Sequence, residues 1–415
     1  MFELLTNEFT ILIFAAILSV ISPVKGLFFI VLGLLVFKEV LSGRLYKVLL
    51  DNAIPVAVSG AIIFFSAIAF ASRSMDESLL TVCSYFFCIL LGFIYGKEKN
   101  DGWVGAALLM LRNITVFACL FSFVLEIVLG QRLVTNGSFS FLQTITIDNP
   151  SLYRLRSFFG HAIVFGQMIV IAVVINFKLE TSKMKRLLYS VVLLVALLLT
   201  KSRSAWIILT ASALVYLVFR LKNPEYSKWN LIALLTPAVL LLVFMLYKSG
   251  LFNFVGSRFG ELETDVSYSQ RSGAISYIIH SFLSRPLFWL TGNGYGSSRI
   301  TMLDTTVEIS GFSTVDNGFL AMLYEYGFLG ICSFASLLIS AGISSFKSDC
   351  ELDQVLFSVS CICCAEFMFY CELGWWVPTV ILFATCGLAL GRASARHSNL
   401  YESGPILISE LRLIV

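Results

Sequence analysis

Residues 248–330 read KSGLFNFVGSRFGELETDVSYSQRSGAISYIIHSFLSRPLFWLTGNGYGSSRITMLDTTVEISGFSTVDNGFLAMLYEYGFLG. This segment begins with a long polar part that is rich in arginine and glycine, whereas the sequence around it is mostly apolar. It is much longer than the short connections that join elements in compact domains. We therefore expect the rest of the chain to form a scaffold that holds this segment at one face of a membrane.

The overall composition indicates a membrane protein. Of the 415 residues, 58% are hydrophobic and 13% are charged, whereas soluble domains are about 45–50% apolar and about 25% charged. A soluble protein with an unusually apolar core is disfavoured, because it would still need a polar surface. The first residues have no basic region before the first apolar run, so we expect an uncleaved first span and no cleaved signal peptide.

The apolar runs predict about twelve transmembrane helices, since a span needs about 20 mainly apolar residues. The predicted fold is an all-α polytopic membrane protein in which residues 1–415 form one integral membrane domain. The run at 315–344 is long for one span, so we expect its first turn to lie at the interface. The predicted spans are 8–22, 24–41, 51–71, 78–96, 106–130, 158–177, 185–200, 204–220, 230–248, 315–344, 355–374 and 375–392.

The distribution of lysine and arginine predicts the orientation. Alternate breaks between spans are rich in basic residues, as at 178–186 and 392–396, and cytoplasmic loops carry such an excess. Both termini are therefore predicted to be cytoplasmic. One large extracytoplasmic loop is expected at 249–314 and a second at 131–157.

The predicted outer face nevertheless carries many arginines, whose planar guanidinium groups can bind phosphate or carboxylate with two hydrogen bonds. Solvated loop charge is an equal alternative for three of them, among them Arg285. Arg203 differs, because the Lys201–Trp206 sequence places it within the membrane at the end of a span, where an ionisable group is costly and functional by default. The outward arginines are Arg154, Arg156, Arg203, Arg258, Arg271, Arg285 and Arg299.

Four other polar residues are candidates. Asp316 stands where the large loop re-enters the membrane, next to Asn317, and a carboxylate in apolar surroundings can act as a general base. His161 begins a span and is as compatible with a structural role as with acid–base chemistry. Glu325 lies within a span and needs a partner. The ten cysteines lie mostly in apolar segments and lack zinc-site spacing, so no metal site is predicted.

Two stretches of the large loop have plainer interpretations. Residues 272–283 carry Ile275, Ile278, Ile279 and Phe282 with helical spacing, which predicts an amphipathic helix on the membrane surface. The sequence from Gly292 to Gly296 lacks the lysine and the strand–turn–helix context of a phosphate-binding loop, so it is interpreted as a connector.

Taken in order, these motifs resemble those of the O-antigen ligase and polymerase superfamily. The resemblance covers about 154–330 and rests on an ordered set of short motifs. They are Arg156 with Phe159-Gly160-His161, then Ser202-Arg203-Ser204-Ala205-Trp206, a loop helix with Arg271, Arg285-Pro286-Leu287 with Gly292-Asn293-Gly294, and Asp316-Asn317-Gly318 with Tyr326-Gly327.

The resemblance implies a GT-C-type glycosyltransferase of the bacterial inner membrane that acts on undecaprenyl-diphosphate-linked glycans at the outer face. Ligases of this superfamily place a histidine where this chain has Asp316, which favours a polymerase of O-antigen, capsule or exopolysaccharide. A ligase that transfers glycan to lipid A core is one alternative, and a lipid-linked oligosaccharide flippase is a second, from another class. The expected partners are the lipid-linked donor and acceptor, the bilayer and a chain-length regulator, with no nucleic acid.

The expected chemistry is an inverting transfer without metal or cofactor. Arg156, Arg203 and Arg271 would bind the diphosphate and stabilise the charge that develops as it leaves. Asp316 would accept the proton of the acceptor hydroxyl, so Asp316, Arg203 and Arg271 are the predicted catalytic residues. The secondary candidates are Arg154, His161, Arg285, Asn317 and Glu325.

Overall fold

Apolar α-helices make up most of the structure, which is a computed structural model. It describes residues 7–21, 26–50, 75–136, 139–145, 153–222, 266–284, 288–298, 315, 317–346, 348, 350–371 and 375–402. Every predicted span within these ranges contains a helix, and the spans predicted at 51–71 and 230–248 lie outside them. The helices are α1 (Glu8–Ile21), α2 (Leu27–Leu41), α3 (Arg44–Leu50), α4 (Met75–Glu98), α5 (Asp101–Ser122, continued by a π-helical turn at Phe123–Val128), α6 (Ala162–Leu179), α7 (Lys183–Thr200), α8 (Arg203–Lys222), α9 (Val266–Ser284), α10 (Phe288–Thr291), α11 (Gly318–Phe346), α12 (Glu351–Glu366) and α13 (Trp376–Glu402).

Five stretches of these helices are long and apolar enough to cross a membrane. This agrees with the predicted class of helical membrane protein, and the total of about twelve spans stays a prediction. The five stretches are Leu80–Glu98, Asp101–Val128, Ala162–Leu179, Gly318–Phe346 and Trp376–Arg396.

A β-hairpin accompanies the helices, which agree with the predicted all-α class. Strand β1 (Gln131–Asn136) pairs antiparallel with β2 (Phe139–Thr144) inside the predicted second outer loop. The sequence favours this pairing, because the two residues between the strands, Gly137-Ser138, are a hairpin-turn dipeptide and the strands include valine, threonine and phenylalanine. Arg132 strengthens the pair by donating to the side chain of Gln143 across the ladder, at 2.8 Å.

Glycines bring α4 and α13 into close contact. Gly92 and Gly96 on α4 face α13, and Gly387 and Gly391 on α13 face α4. A side-chain carbon at any of the four would overlap a backbone oxygen of the opposite helix. Small residues spaced four apart allow helices to approach in this way inside membranes, where packing drives helix association.

Ion pairs connect the helix ends next to the loops that the sequence predicts to be cytoplasmic. Lys38 of α2 pairs with Glu8 of α1 at 2.6 Å. Arg392 of α13 pairs at 2.6 Å with Asp353 of α12, a residue with no exposed surface, and also with Asp101 of α5. These helix ends therefore share one end of the bundle, as alternating membrane crossings require.

A backbone break interrupts α11. Gly327 has φ 67° and ψ −167°, a combination outside the helical region, and it separates residues 318–326 from the longer second part. The sequence predicted that the first turn of this segment lies at the interface, and the structure adds a discontinuity nine residues after Gly318.

Candidate functional site

The segment that precedes α6 is fixed by a buried carboxylate. Glu126, in the π-helical turn after α5, accepts hydrogen bonds from the hydroxyl of Tyr153 and from the backbone N–H groups of Arg156 and Ser157. The bond from Ser157 is 2.7 Å long. Residues 153–157 thus supply the partners that Glu126 needs inside the membrane. These bonds in turn fix the positions of Arg154 and Arg156.

The same segment is tied to the junction between α7 and α8. Arg154 donates from Nε to the backbone oxygen of Thr200 at 3.1 Å, and the N–H of Leu155 donates to Leu199 at 3.0 Å. Lys201 then adopts a left-handed conformation with φ 51°, which ends α7, and Arg203 begins α8. Two predicted arginines, Arg154 and Arg203, therefore flank one helix junction although they are far apart in sequence.

Arg156 is half-buried and retains unused donor capacity. Its buried Nε has no hydrogen-bond partner within the part of the chain that the structure describes. Its positive charge acts both on Glu126 and on His161. A buried guanidinium nitrogen without a partner is costly, so an anion that accepted a hydrogen bond from it would be favoured.

His161 is held in place as the N-cap of α6. Its Nδ1 accepts a hydrogen bond from the N–H of Ile163 at 3.3 Å, and its ring stacks on Tyr370, with centroids 4.7 Å apart and planes 8° apart. Burial, followed by the charges of Arg154 and Arg156, lowers the pKa of His161 to about 4. The ring is thus neutral at pH 7, and its other nitrogen carries a proton that it can donate to an anion.

The start of α11 is docked on the end of α12. The N–H of Gly318 donates to the oxygen of Phe367 at 2.7 Å, and Nδ2 of Asn317 donates to the oxygen of Met368 at 3.1 Å. Oδ1 of Asn317 also caps α11 by accepting from the N–H of Leu320. The turn that holds Asn317 continues to Tyr370, which stacks on His161, so Asn317 and His161 lie at the same end of the bundle.

Three predicted site residues have side chains outside the described part of the chain. Asp316 and Arg285 lie outside the described residues. Arg271 belongs to α9, whose backbone is described at that position. The structure therefore brings Arg154, Arg156, His161, Arg203 and Asn317 to one end of the bundle, and the roles of Asp316, Arg271 and Arg285 stay predictions.

Sequence reasoning missed the role of the glycine-rich stretch between Gly292 and Gly296. This stretch packs against the break in α11, where Gly292 and Gly327 both have positive φ and their backbones touch. Glu325 finds its partner there, because it accepts a hydrogen bond from Ser298 Oγ at 2.5 Å. The available signal was the pair of glycine-rich stretches at the two ends of the 292–330 segment.

The predicted amphipathic helix is present in α9. Ala274, Ile278 and Phe282 are buried against the first part of α11, whereas Ile275 and Ile279 are exposed. The prediction placed all four apolar residues on one face, and the structure instead divides them between a packed face and an exposed face. Among the described residues, no group of three or more His, Cys, Asp or Glu side chains could hold a metal ion.

These features define a mostly helical membrane protein with several arginines at one end of its bundle. Residues 188–335 match the family described as O-antigen ligase, which confirms the resemblance to the O-antigen ligase and polymerase superfamily. The match includes Arg203, Asn317 and Glu325 and begins after Arg154, Arg156 and His161. No curated protein matches the chain.

Proposed function

We propose that this protein is a polymerase of O-antigen or another surface polysaccharide, which joins undecaprenyl-diphosphate-linked repeat units at the outer face of the bacterial inner membrane. The observation that carries the proposal is the hydrogen bond from Arg154 to Thr200. It brings the segment with Arg156 and His161 to the helix junction with Arg203, inside a chain that matches the O-antigen ligase family. Several arginines at one end of the bundle suit a diphosphate held at the membrane interface.

The proposed reaction is a direct displacement of GT-C type. An acceptor sugar hydroxyl attacks the anomeric carbon of the donor, and the bond from that carbon to the diphosphate oxygen breaks. The bonding electrons leave with undecaprenyl diphosphate, and the hydroxyl proton passes to the carboxylate of Asp316. The direct displacement inverts the anomeric centre, and Arg156, Arg203 and Arg271 stabilise the negative charge on the leaving diphosphate in place of a metal.

A ligase is the second candidate, because the matched family is described as O-antigen ligase. Such an enzyme would transfer a finished glycan to lipid A core and would not extend the glycan. Asp316 stands where the resemblance implies a histidine in ligases, which favours the polymerase. A gel of surface glycan separates the two candidates. After gene deletion, a polymerase leaves single-unit glycan without a ladder, whereas loss of all glycan indicates a ligase or a flippase.

The proposed orientation places both termini in the cytoplasm and the arginine site outside. Its support is the set of ion pairs that gathers the basic breaks at the opposite end of the bundle. A reporter enzyme that is active only outside the cytoplasm, fused after residue 396, should be inactive, and the same reporter inserted at Asn136 should be active. The opposite pattern would reverse the topology and overturn the proposed site.

A further inference from the structure

We infer that Glu325 is a positioning residue that fastens residues 292–298 of the large loop to the break in α11. The loop–helix junction consists of residues 292–298 on one side and 324–327 on the other. The link to catalysis rests on the proposed function, whereas the structural part of the inference does not.

The carboxylate of Glu325 receives three hydrogen bonds from one short stretch of loop. Ser298 donates from Oγ at 2.5 Å, and the backbone N–H groups of Gly296 and Ser298 donate as well. Glu325 and Ser298 are each 6% exposed. A buried carboxylate is costly unless its oxygens accept several hydrogen bonds, and here donors from the loop meet that need.

The backbone groups on the two sides of the loop–helix junction also pair with each other. A helix that ends inside a protein leaves carbonyl groups without partners, and the break at Gly327 creates such an end. The N–H of Asn293 donates to the oxygen of Tyr324 at 2.8 Å, and the N–H of Gly294 donates to the oxygen of Glu325 at 2.9 Å. The loop thus satisfies the carbonyl groups that the break releases, which membrane proteins require at such discontinuities.

Glycine is required where the two backbones cross. A side-chain carbon on Gly327 would lie 2.5 Å from the nitrogen of Gly292, and one on Gly292 would overlap the backbone of Glu325. Gly292 and Gly327 also have φ values of 75° and 67°, which favour glycine. Gly292 and Gly327 therefore allow the close approach of the two backbones that the hydrogen bonds to Glu325 stabilise.

The junction controls the position of the first part of α11. Residues 318–326 are packed on another side by Ile278 and Phe282 of α9 and begin at Gly318, which is docked on Phe367. Asp316 precedes this half-helix by two residues in the sequence. If residues 292–298 detached, the half-helix would lose one of its supports, and the proposed base, two residues before it in the sequence, would lose that support as well.

The test measures detachment of the loop directly, by limited trypsin digestion of the purified full-length protein and its variants. Arg299 follows Ser298 in the sequence, so cleavage there reports on the junction. Glu325→Ala should raise the rate of cleavage at Arg299 by about tenfold, because three buried donors lose their acceptor. Ser298→Ala should raise it less, since it removes one donor. Cleavage at 183–186, at the other end of the bundle, should keep its wild-type rate.

Glu126→Gln is the matched control, since Glu126 is also a buried carboxylate at this end but holds the 153–157 segment. It should leave the rate of cleavage at Arg299 unchanged. Wild-type cleavage at Arg299 in both Glu325→Ala and Ser298→Ala would overturn the inference. If Glu325→Ala does not fold, Ser298→Ala alone decides.

Activity is a second and separate readout. In cells, Glu325→Ala and Ser298→Ala should shorten or abolish the glycan ladder in proportion to their cleavage rates, at unchanged membrane levels. Faster cleavage with an intact ladder would refute the positioning role while leaving the polymerase proposal untouched. A deletion strain that keeps its ladder would refute the polymerase and leave the junction standing.

Discussion

Arg154 donates a hydrogen bond from Nε to the backbone oxygen of Thr200, 3.1 Å away, across 46 residues of sequence. The bond joins the segment before α6 to the end of α7, one turn before Arg203 begins α8. Glu126 holds the same segment from the other side. The proposed arginine site would therefore be built from three helix ends and would not depend on the large loop alone.

Replacement of Arg203 tests the proposed diphosphate site. Arg203→Ala should reduce polymerisation by about 100-fold or more, because removal of one charged donor from a transition state commonly costs that much. Arg203→Lys should retain part of the activity, since it keeps the charge but not the planar fork. The measurement is the glycan ladder of a deletion strain complemented with each variant.

Arg132→Ala is the control for charge, because Arg132 is an arginine in the same predicted outer region whose side chain bonds to Gln143 in the hairpin. It should leave the ladder intact. A normal ladder from Arg203→Ala at wild-type membrane levels would remove Arg203 from the site.

Replacement of Gly327 tests the break in α11. Gly327→Ala should lower the melting temperature and abolish the ladder, because the new carbon would press on Gly292 and Leu290 and the backbone conformation is strained for alanine, at about 1–3 kcal/mol. Gly105→Ala is the matched control, since a side chain there meets open space within α5. A melting temperature of Gly327→Ala equal to that of Gly105→Ala would show that the break is not required.

The glycine contact between α4 and α13 should dominate the stability of the bundle. Gly387→Ala should destabilise the protein by about 1–3 kcal/mol, the usual cost of overpacking a closely packed contact, because its side chain would overlap the backbone of α4. Gly33→Ala on α2 meets no atoms and should be neutral or slightly stabilising. Thermal unfolding in detergent compares the two, and equal melting temperatures would refute the contact.

His161 makes stability depend on pH. The pKa of His161 is lowered in the folded protein to about 4, from 6.5 for an ordinary histidine, so the unfolded chain binds more protons between these values. The stabilising contribution is complete above pH 6.5 and is lost as the pH falls through 4. His161→Asn should keep the helix cap without this titration, and its melting temperature should fall less than that of the wild type between pH 6.5 and 4. Equal decreases in melting temperature for the two proteins over this pH range would contradict the assignment of the pH dependence to His161.

The sequence predicted the helices better than the way they pack. Apolar runs located a helix in each predicted span within the described residues, because a bilayer demands long apolar helices whatever their neighbours. The contact between Gly92 and Gly387 went unpredicted, since glycine is frequent in membrane helices and its partner helix is almost 300 positions away. The β-hairpin was missed because the outer loops were judged by polarity and not by the turn dipeptide Gly137-Ser138.

The candidate site was predicted in part for a similar reason. The cost of a charge in the membrane singles out Arg203 from its position alone. The bond from Arg154 to Thr200 and the stacking of His161 on Tyr370 depend on how distant segments fold together, which no local pattern encodes. Glu325 was expected to need a partner. Its partner is the 292–298 stretch, whose glycine-rich sequence was interpreted only as a connector.

The central claim is that this protein polymerises lipid-linked repeat units through an arginine site. The most direct measurement is to incubate the purified protein in liposomes with synthetic undecaprenyl-diphosphate-linked repeat unit and a metal chelator, and to separate the products by length. The account predicts oligomers from the wild type and from Arg132→Ala, with none from Arg203→Ala. Unextended repeat units from the folded wild type, with and without added divalent metal, would contradict it.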